Sequence, residues 1–177
     1  VKEEDIQQLF HIFNAKIGVK HHNTASDFDY ESKLDFHAIK DDFSSKETTL
    51  HWGAKTNYKL DELSKIGLDL NAFFSKRADS LSMNRYYFQG EPAYVRKHEK
   101  YLIKAGATLV YDNDTIGKNG FHIYPVIHID IRIEEPHSIY AYVGIDGQLE
   151  RMSYLSMVQE NPFLGQNTVV NNQNNVL

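Results

Sequence analysis

The stretch FHIYPVIHIDIRIE, residues 121–134, alternates between two kinds of side chain along its whole length. Isoleucines at 123, 127, 129, 131 and 133 share one parity, while His, Tyr, Asp and Arg residues fall on the other. Successive side chains of a β-strand point to opposite faces of its sheet. The stretch therefore predicts a long strand with one apolar side and one polar side.

The polar row of this strand holds the densest set of chemically capable groups in the sequence. His128 precedes Asp130 by two residues, the spacing at which a carboxylate orients an imidazole for general base catalysis. Arg132 suits bidentate binding of a phosphate or carboxylate. We take His128, Asp130 and Arg132 as candidate catalytic residues. The alternatives are a cross-strand salt-bridge network or the solvated face of a sheet.

Further strands are predicted on both sides of this one, at 107–111, 137–145 and 148–156. Asp146-Gly147 is a strong signal for a two-residue hairpin between the last two. If the corner at 134–137 keeps the parity of the strands, Tyr140 and Tyr142 join the polar row. A corner one residue longer or shorter places them on the isoleucine side. The candidate binding residues are His122, Tyr124, Tyr140, Tyr142 and Arg151.

The first hundred residues carry patterns that favour helices. Apolar side chains at Ile6, Phe10, Phe13 and Ile17 form one stripe of an amphipathic helix over residues 3–17. Similar stripes predict helices over 61–77 and 92–104, the latter starting at Pro92. Short strands are predicted at 33–39, 48–54 and 83–88.

These elements predict an α+β fold, with N-terminal helices packed on a C-terminal antiparallel, bent meander of four or more strands. That order of elements is similar in outline to NTF2-like or cystatin-like folds, although no motif is shared, and this resemblance implies no function. We expect a single domain over residues 1–162 and an Asn-rich, flexible tail over 163–177.

Composition excludes several classes of site. The chain has 177 residues and no cysteine, which rules out disulfides, thiolate metal sites and cysteine nucleophiles. A net charge of −5 with scattered Lys and Arg argues against binding to a nucleic-acid backbone. The apolar runs are too short for a transmembrane segment. His21 and His22 precede several carboxylates, but their spacing matches no known metal loop, and we expect a solvated connection. We predict no metal and no cofactor.

We expect a non-enzymatic binding or assembly module that presents a face rich in Tyr, His and Arg to a protein or other partner, or to itself. The eleven tyrosines support this expectation, because Tyr is frequent at binding surfaces. The alternative is a small His/Asp-dependent hydrolase or lyase with a pocket on the polar side of 121–134, and a small-molecule ligand fits either reading. Whether the protein is an enzyme stays open. The lack of cysteine and the start at Val1 favour an exported or cell-surface protein over a cytoplasmic one.

Overall fold

A computed structural model shows an all-β chain. It describes residues 9–21, 26–42, 45–78, 82–113, 120–133, 139–150, 153 and 173–176. The strands are β1 (Phe10–His21), β2 (Phe28–Asp41), β3 (Lys46–Lys59), β4 (Ser64–Ala78), β5 (Ser82–Lys97), β6 (Tyr101–Asp112), β7 (Gly120–Ile133), β8 (Ile139–Glu150) and the short β9 (Gln173–Val176).

The strands form one antiparallel meander in which every strand pairs with the next along the chain, in the order β1 to β9. The β3–β4 turn is closed by the Leu60 and Asp61 N–H groups, which both donate to the carbonyl of Ser64. The predicted antiparallel sheet is therefore confirmed, but it covers the whole described chain and not only its C-terminal third.

The predicted α+β class is wrong, because no helix occurs among the described residues. In the segment predicted as a helix over 3–17, the described residues lie in β1 or directly before it. The segment 61–77 forms a turn and most of β4, and the segment 92–104 contains the turn between β5 and β6. Apolar residues four apart, such as Leu70 and Phe74, share a face in a strand as well as in a helix. The spacing of four alone did not distinguish the two structures.

The hairpin predicted at Asp146-Gly147 is also wrong. β8 runs through both residues without a turn, and Gly147 pairs instead with Val176 of β9. A residue of the predicted tail thus belongs to a strand. Gly147 has a packing role in place of a turn, because a Cβ there would lie 2.7 Å from Cδ1 of Tyr124.

One register holds from β1 to β8, so each side of the sheet consists of continuous rows of side chains. We call the side that carries the isoleucines of β7 the apolar face, and the side that carries His122, Tyr124 and Val126 the polar face. Paired residues of antiparallel strands lie on the same face. The rows can therefore be followed across the sheet from the register alone.

The backbone pairing of β5 with β6 has a gap at its centre. Gly90 pairs with Leu109 and Ala93 with Gly106, but the two positions between them are unpaired. Pro92 stands in this gap and has no N–H to donate. A side-chain hydrogen bond crosses it instead, from the Thr108 hydroxyl to Oε2 of Glu91 at 3.3 Å.

Gly106 lies beside this gap, where β5 approaches it closely. A Cβ at Gly106 would be 2.3 Å from the carbonyl oxygen of Pro92 and 2.9 Å from Cα of Ala93. Both are backbone atoms that cannot move aside. At Gly90 the nearest atom to an added Cβ is the Leu70 methyl Cδ2, at 3.4 Å, which is an ordinary contact distance.

We predict that Gly106→Ala lowers the free energy of unfolding by about 1–3 kcal/mol, the usual cost of overpacking. Gly90→Ala serves as the matched control and should change it by less than about 1 kcal/mol. Urea titration followed by circular dichroism measures both variants. Equal stability of the two would show that β5 and β6 are not in close contact at Gly106.

The β3–β4 turn provides a pH-dependent contribution to stability. Oδ1 of Asp61 accepts the Leu63 N–H at 2.7 Å, and this hydrogen bond lowers the pKa of Asp61 below its usual 3.8. A carboxyl whose pKa is lower in the folded than in the unfolded state stabilises the fold above the unfolded pKa. That stabilisation disappears as the pH falls through the folded pKa.

We predict that NMR titration gives Asp61 a pKa below 3.8. Wild type should then lose more stability than Asp61→Asn between about pH 5 and pH 2, because the amide does not titrate. A pKa of 3.8 or higher for Asp61 would contradict the hydrogen bond in the turn.

Candidate functional site

The apolar face is the most exposed part of the sheet. Ile17 of β1 is 71% exposed, and Phe121 and Ile123 of β7 are 63% and 62% exposed. Large apolar residues at least 36% exposed occur on this face in all eight long strands. Those outside β1 and β7 are Phe28, Tyr30, Leu34, Phe36, Leu50, Trp52, Tyr58, Ile66, Phe74, Tyr86, Phe88, Tyr94, Tyr111, Val143 and Ile145.

Aromatic side chains on the apolar face gather in two bands near opposite ends of the strands. The register aligns Phe36, Leu50, Phe74 and Tyr86 in one row, and Leu34, Trp52, Ala72, Phe88, Tyr111 and Phe121 in the next. We call these two rows the first aromatic band. The second aromatic band comprises Tyr30 and the aligned residues Phe28, Tyr58 and Tyr94.

Aliphatic and small residues fill the space between the bands. One row there contains Ser32, Ala54, Leu70, Gly90, Leu109 and Ile123. No charged residue stands on the apolar face between the two bands in β2 to β7. Tyr86 and Tyr94 of β5 are eight residues apart, which corresponds to about 26 Å along an extended strand.

Charged residues on the apolar face occur outside the bands. Lys40, Lys46 and Lys76 are exposed beyond the first aromatic band. Arg96 is exposed beyond the second, opposite Ser64 in the register. The apolar face therefore has a charge-free centre with cations at both ends.

The polar face is covered mainly behind the first aromatic band, whereas other residues on it, such as Lys55 and Tyr142, are exposed. Its buried charged and polar side chains include Glu47, which is 1% exposed, and Thr108, which is 2% exposed. The others are Asp41, Thr49, Ser75, Arg77, Arg85 and Asp112. Glu47 stands directly opposite Arg77 in the register, so that opposite charges are neighbours within the covered side.

Polar side chains on this face bond to one another across neighbouring strands. His51 contacts Oδ2 of Asp35 through Nδ1 at 3.2 Å and Oδ1 of Asn71 through Nε2 at 3.0 Å, and its ring stacks on Phe73. Lys104 donates to Oε1 of Glu91 at 2.6 Å. These bonds satisfy polar groups that would otherwise be costly to bury.

The candidate catalytic residues lie on the polar face but do not converge. His128 is partly buried, whereas Asp130 and Arg132 are exposed. The carboxylate next to His128 belongs to Asp146, 3.5 Å from Nε2. Nδ1 of His128 is 3.2 Å from the Tyr142 hydroxyl. No hydrogen bond or ion pair joins His128 to Asp130 within the described part of the chain.

The candidate binding residues divide into two groups. Tyr124 packs with Tyr87 and Val110 in a small buried cluster, and Nε2 of His122 is 3.5 Å from Asp112. Tyr142 is 64% exposed. The register pairs Asp130 with Tyr142 and Arg132 with Tyr140, so the corner keeps parity as the first alternative predicted. Arg151 lies outside the described residues.

A depression of about 300 Å³ lies beside Asp130 and Arg132, lined also by Lys97, Tyr101 and Tyr142. A larger one of about 920 Å³ adjoins the β3–β4 turn and includes Asp61 and Lys65. Neither contains His128. No group of three or more His, Asp or Glu side chains is placed to bind a metal among the described residues, and His22 lies outside them.

The described segments include no helix of the length and apolarity needed to cross a membrane.

No protein-family model, no curated protein and no solved structure matches this chain.

Sequence reasoning missed the apolar face, because three of the segments that form it were predicted as helices. A signal was present in residues 64–78. Ile66, Leu68, Leu70 and Phe74 have one parity, whereas Lys65, Asp69, Asn71, Ser75 and Arg77 have the other. That period of two predicts a strand.

We predict that Glu91→Ala lowers the free energy of unfolding by about 1–3 kcal/mol, because it removes the acceptor of the partly buried Lys104 and of Thr108. The pair Lys55–Asp69 is a matched control on the same face, with side chains that are 60% and 38% exposed. Asp69→Ala should cost less than about 1 kcal/mol. Denaturant titration of both variants checks the difference, and equal losses would contradict the partial burial of the Glu91–Lys104 pair.

Proposed function

We propose that this protein is a non-enzymatic binding or assembly module and that the apolar face is its contact surface. The observation that supports the proposal is the continuous, charge-free apolar area between the two aromatic bands. The module is thus expected to act through the side opposite to the His, Tyr and Arg row.

The size of this area supports a binding role. Five gaps between the six strands β2 to β7 span about 24 Å at about 4.8 Å each, and the outer rows of the two aromatic bands lie about 26 Å apart. The product is roughly 600 Å², at the upper end of the range for the largest apolar patch of a typical monomer. Removal of apolar area from water contributes about 25 cal/mol per Å². Burial of the exposed part of these side chains therefore favours a partner that covers this surface.

The tyrosines fit this role better on the apolar face than on the polar face. Tyr30, Tyr58, Tyr86, Tyr94 and Tyr111 are exposed there, and each presents a ring together with a hydroxyl group. On the polar face, Tyr87 and Tyr124 are buried and pack inside the protein, and Tyr142 is exposed.

The alternative of a His/Asp-dependent hydrolase or lyase finds less support in the geometry. General base catalysis requires the base and its orienting carboxylate within hydrogen-bond reach. His128 has Asp146 and Tyr142 nearby, but the candidate residues Asp130 and Arg132 lie on the exposed part of the strand. We therefore favour binding over catalysis.

A photo-crosslinking amino acid placed at single positions tests the proposed contact surface in cells that produce the protein. We predict a cross-linked adduct, to protein or to lipid, from Ile123 on the apolar face. Asn57, on the polar face of β3, is the control and should give little or none. Equal yields from the two positions, or none from either in the folded protein, would contradict the proposal.

A further inference from the structure

We infer that the partner of the apolar face is the hydrocarbon interior of a lipid bilayer. This inference rests on the proposed function and specifies what covers the contact surface. Three independent features of the sheet support it: the inverted polarity of its two faces, the dimensions of the apolar area, and the positions of the aromatic residues.

Behind the first aromatic band, the polarity of the sheet is the reverse of that expected in water. A sheet with one face in water normally covers its apolar side and exposes its polar side. Here Glu47, Arg77 and Asp112 are at most 5% exposed, whereas Phe121 and Ile123 are more than 60% exposed. Such a distribution is favourable where the surroundings of the exposed face are less polar than the covered side. Strands that face lipid alternate in this way, with apolar residues outward and polar residues inward.

The dimensions of the apolar area match a bilayer. The eight long strands contain 12 to 16 residues each, more than the roughly 9–11 that a strand needs to cross the hydrocarbon region. The eight-residue separation of Tyr86 and Tyr94 gives about 26 Å between the outer rows of the two aromatic bands. Lipid-facing strands have an apolar band about 25 Å tall.

The arrangement of aromatic residues distinguishes a lipid partner from a protein partner. Protein interfaces place their aromatic anchors near the centre and surround them with a polar rim. On this face the centre is aliphatic and small, with Ala54, Leu70 and Ile123, and the aromatic residues stand at both ends. Tyr and Trp are enriched at the two levels where a bilayer meets water.

The charged residues fit the same geometry. Lys40, Lys46 and Lys76 lie beyond the first aromatic band and Arg96 beyond the second. Long cationic side chains at these positions reach the headgroups while their methylene stems remain in contact with apolar surface. The face thus presents cations at both headgroup levels and none between them.

Trp52, the single tryptophan of the chain, reports directly on this inference. It lies in the first aromatic band, 41% exposed, and donates from Nε1 to the Ser32 hydroxyl at 3.1 Å. We predict that its fluorescence is quenched by phosphatidylcholine brominated on the acyl chains, after the full chain is reconstituted into vesicles. Bromine at an intermediate position of the acyl chain should quench Trp52 most strongly, because its row lies between the central row and the outer row of the first aromatic band.

Two further variants distinguish the depth of the tryptophan in the bilayer from its mere closeness to lipid. Trp52→Phe combined with Leu70→Trp moves the reporter to the centre of the apolar face, where quenching should be strongest for bromine near the chain end. Trp52→Phe combined with Phe73→Trp moves it by three further residues along β4 onto the polar face and should abolish most of the quenching. Circular dichroism confirms that each variant retains its β structure.

A charge-insertion pair provides a second measurement. Leu70→Lys places a cation at the centre of the apolar face, and we expect vesicle partitioning to fall roughly 30-fold to 1,000-fold. Thr48→Lys adds the same charge on the same face beside Lys76, outside the first aromatic band, and should reduce partitioning by less than about fivefold.

Unquenched Trp52 in vesicles that contain the folded chain would overturn the inference. So would a discrete soluble dimer in which Trp52 is shielded without lipid, since a second copy would then cover the face. In both cases a cross-link from Ile123 to a protein would leave the proposed function standing. Failure of the cross-link at Ile123 in cells would instead overturn the proposed function itself.

Discussion

The register of the antiparallel ladders is the constraint on which both faces depend. Side chains alternate with a period of two, so a slip of one residue in any pair of strands would exchange the faces of every residue beyond it. Glu47 and Arg77 would then join the apolar face, and Leu50 and Phe74 would enter the covered side. Because the register is continuous from β1 to β8, single rows extend across most of the sheet and keep the centre of the apolar face free of charge.

The polar face helps to maintain that register. Its contacts join side chains of neighbouring strands: Asp35 with His51, His51 with Asn71, and Glu91 with Lys104. Each such contact requires two strands to be aligned within hydrogen-bond distance. Contacts between apolar side chains do not require such close alignment of the strands, because apolar packing is less directional. Polar contacts therefore align the strands, and the apolar side chains form the contact surface.

Parts of most strands could be predicted from the sequence. The predicted strands at 33–39, 48–54, 83–88 and 107–111 lie within β2, β3, β5 and β6, whereas β1, β4 and the end of β5 were predicted as helices. In β7, isoleucines on one parity and ionisable or aromatic residues on the other leave a period of two as the only consistent pattern. In β4, the adjacent residues Phe73 and Phe74 interrupt the alternation, and Leu63, Leu70 and Phe74 imitate a helical stripe. The prediction that the polar side chains of β7 share one face was correct. That Tyr142 lies on the same face was one of two predicted outcomes. Which face is covered depends on all the strands together, and the pattern within one strand does not determine it.

The proximity of His128 to Asp146 was also beyond sequence reasoning. His128 and Asp130 are close in sequence and share a face, but consecutive residues on one face of a strand point in parallel directions. The carboxylate that reaches the imidazole comes from β8, across the ladder. Partners of this kind follow from the register of β7 with β8, whereas Asp146 was predicted to lie in a turn that does not form.

The gap in the pairing of β5 with β6 interrupts a backbone ladder that continues on both sides of it. Four pairs of residues precede the gap and five follow it, and a bond between Thr108 and Glu91 spans it. Gly90 pairs with Leu109 before the gap and Ala93 with Gly106 after it, so the register is the same on both sides. The rows of the apolar face therefore continue from β5 to β6 although Pro92 cannot donate a backbone hydrogen bond. One side-chain bond on the polar face thus bridges the two positions at which the ladder is open, and the opposite face remains continuous.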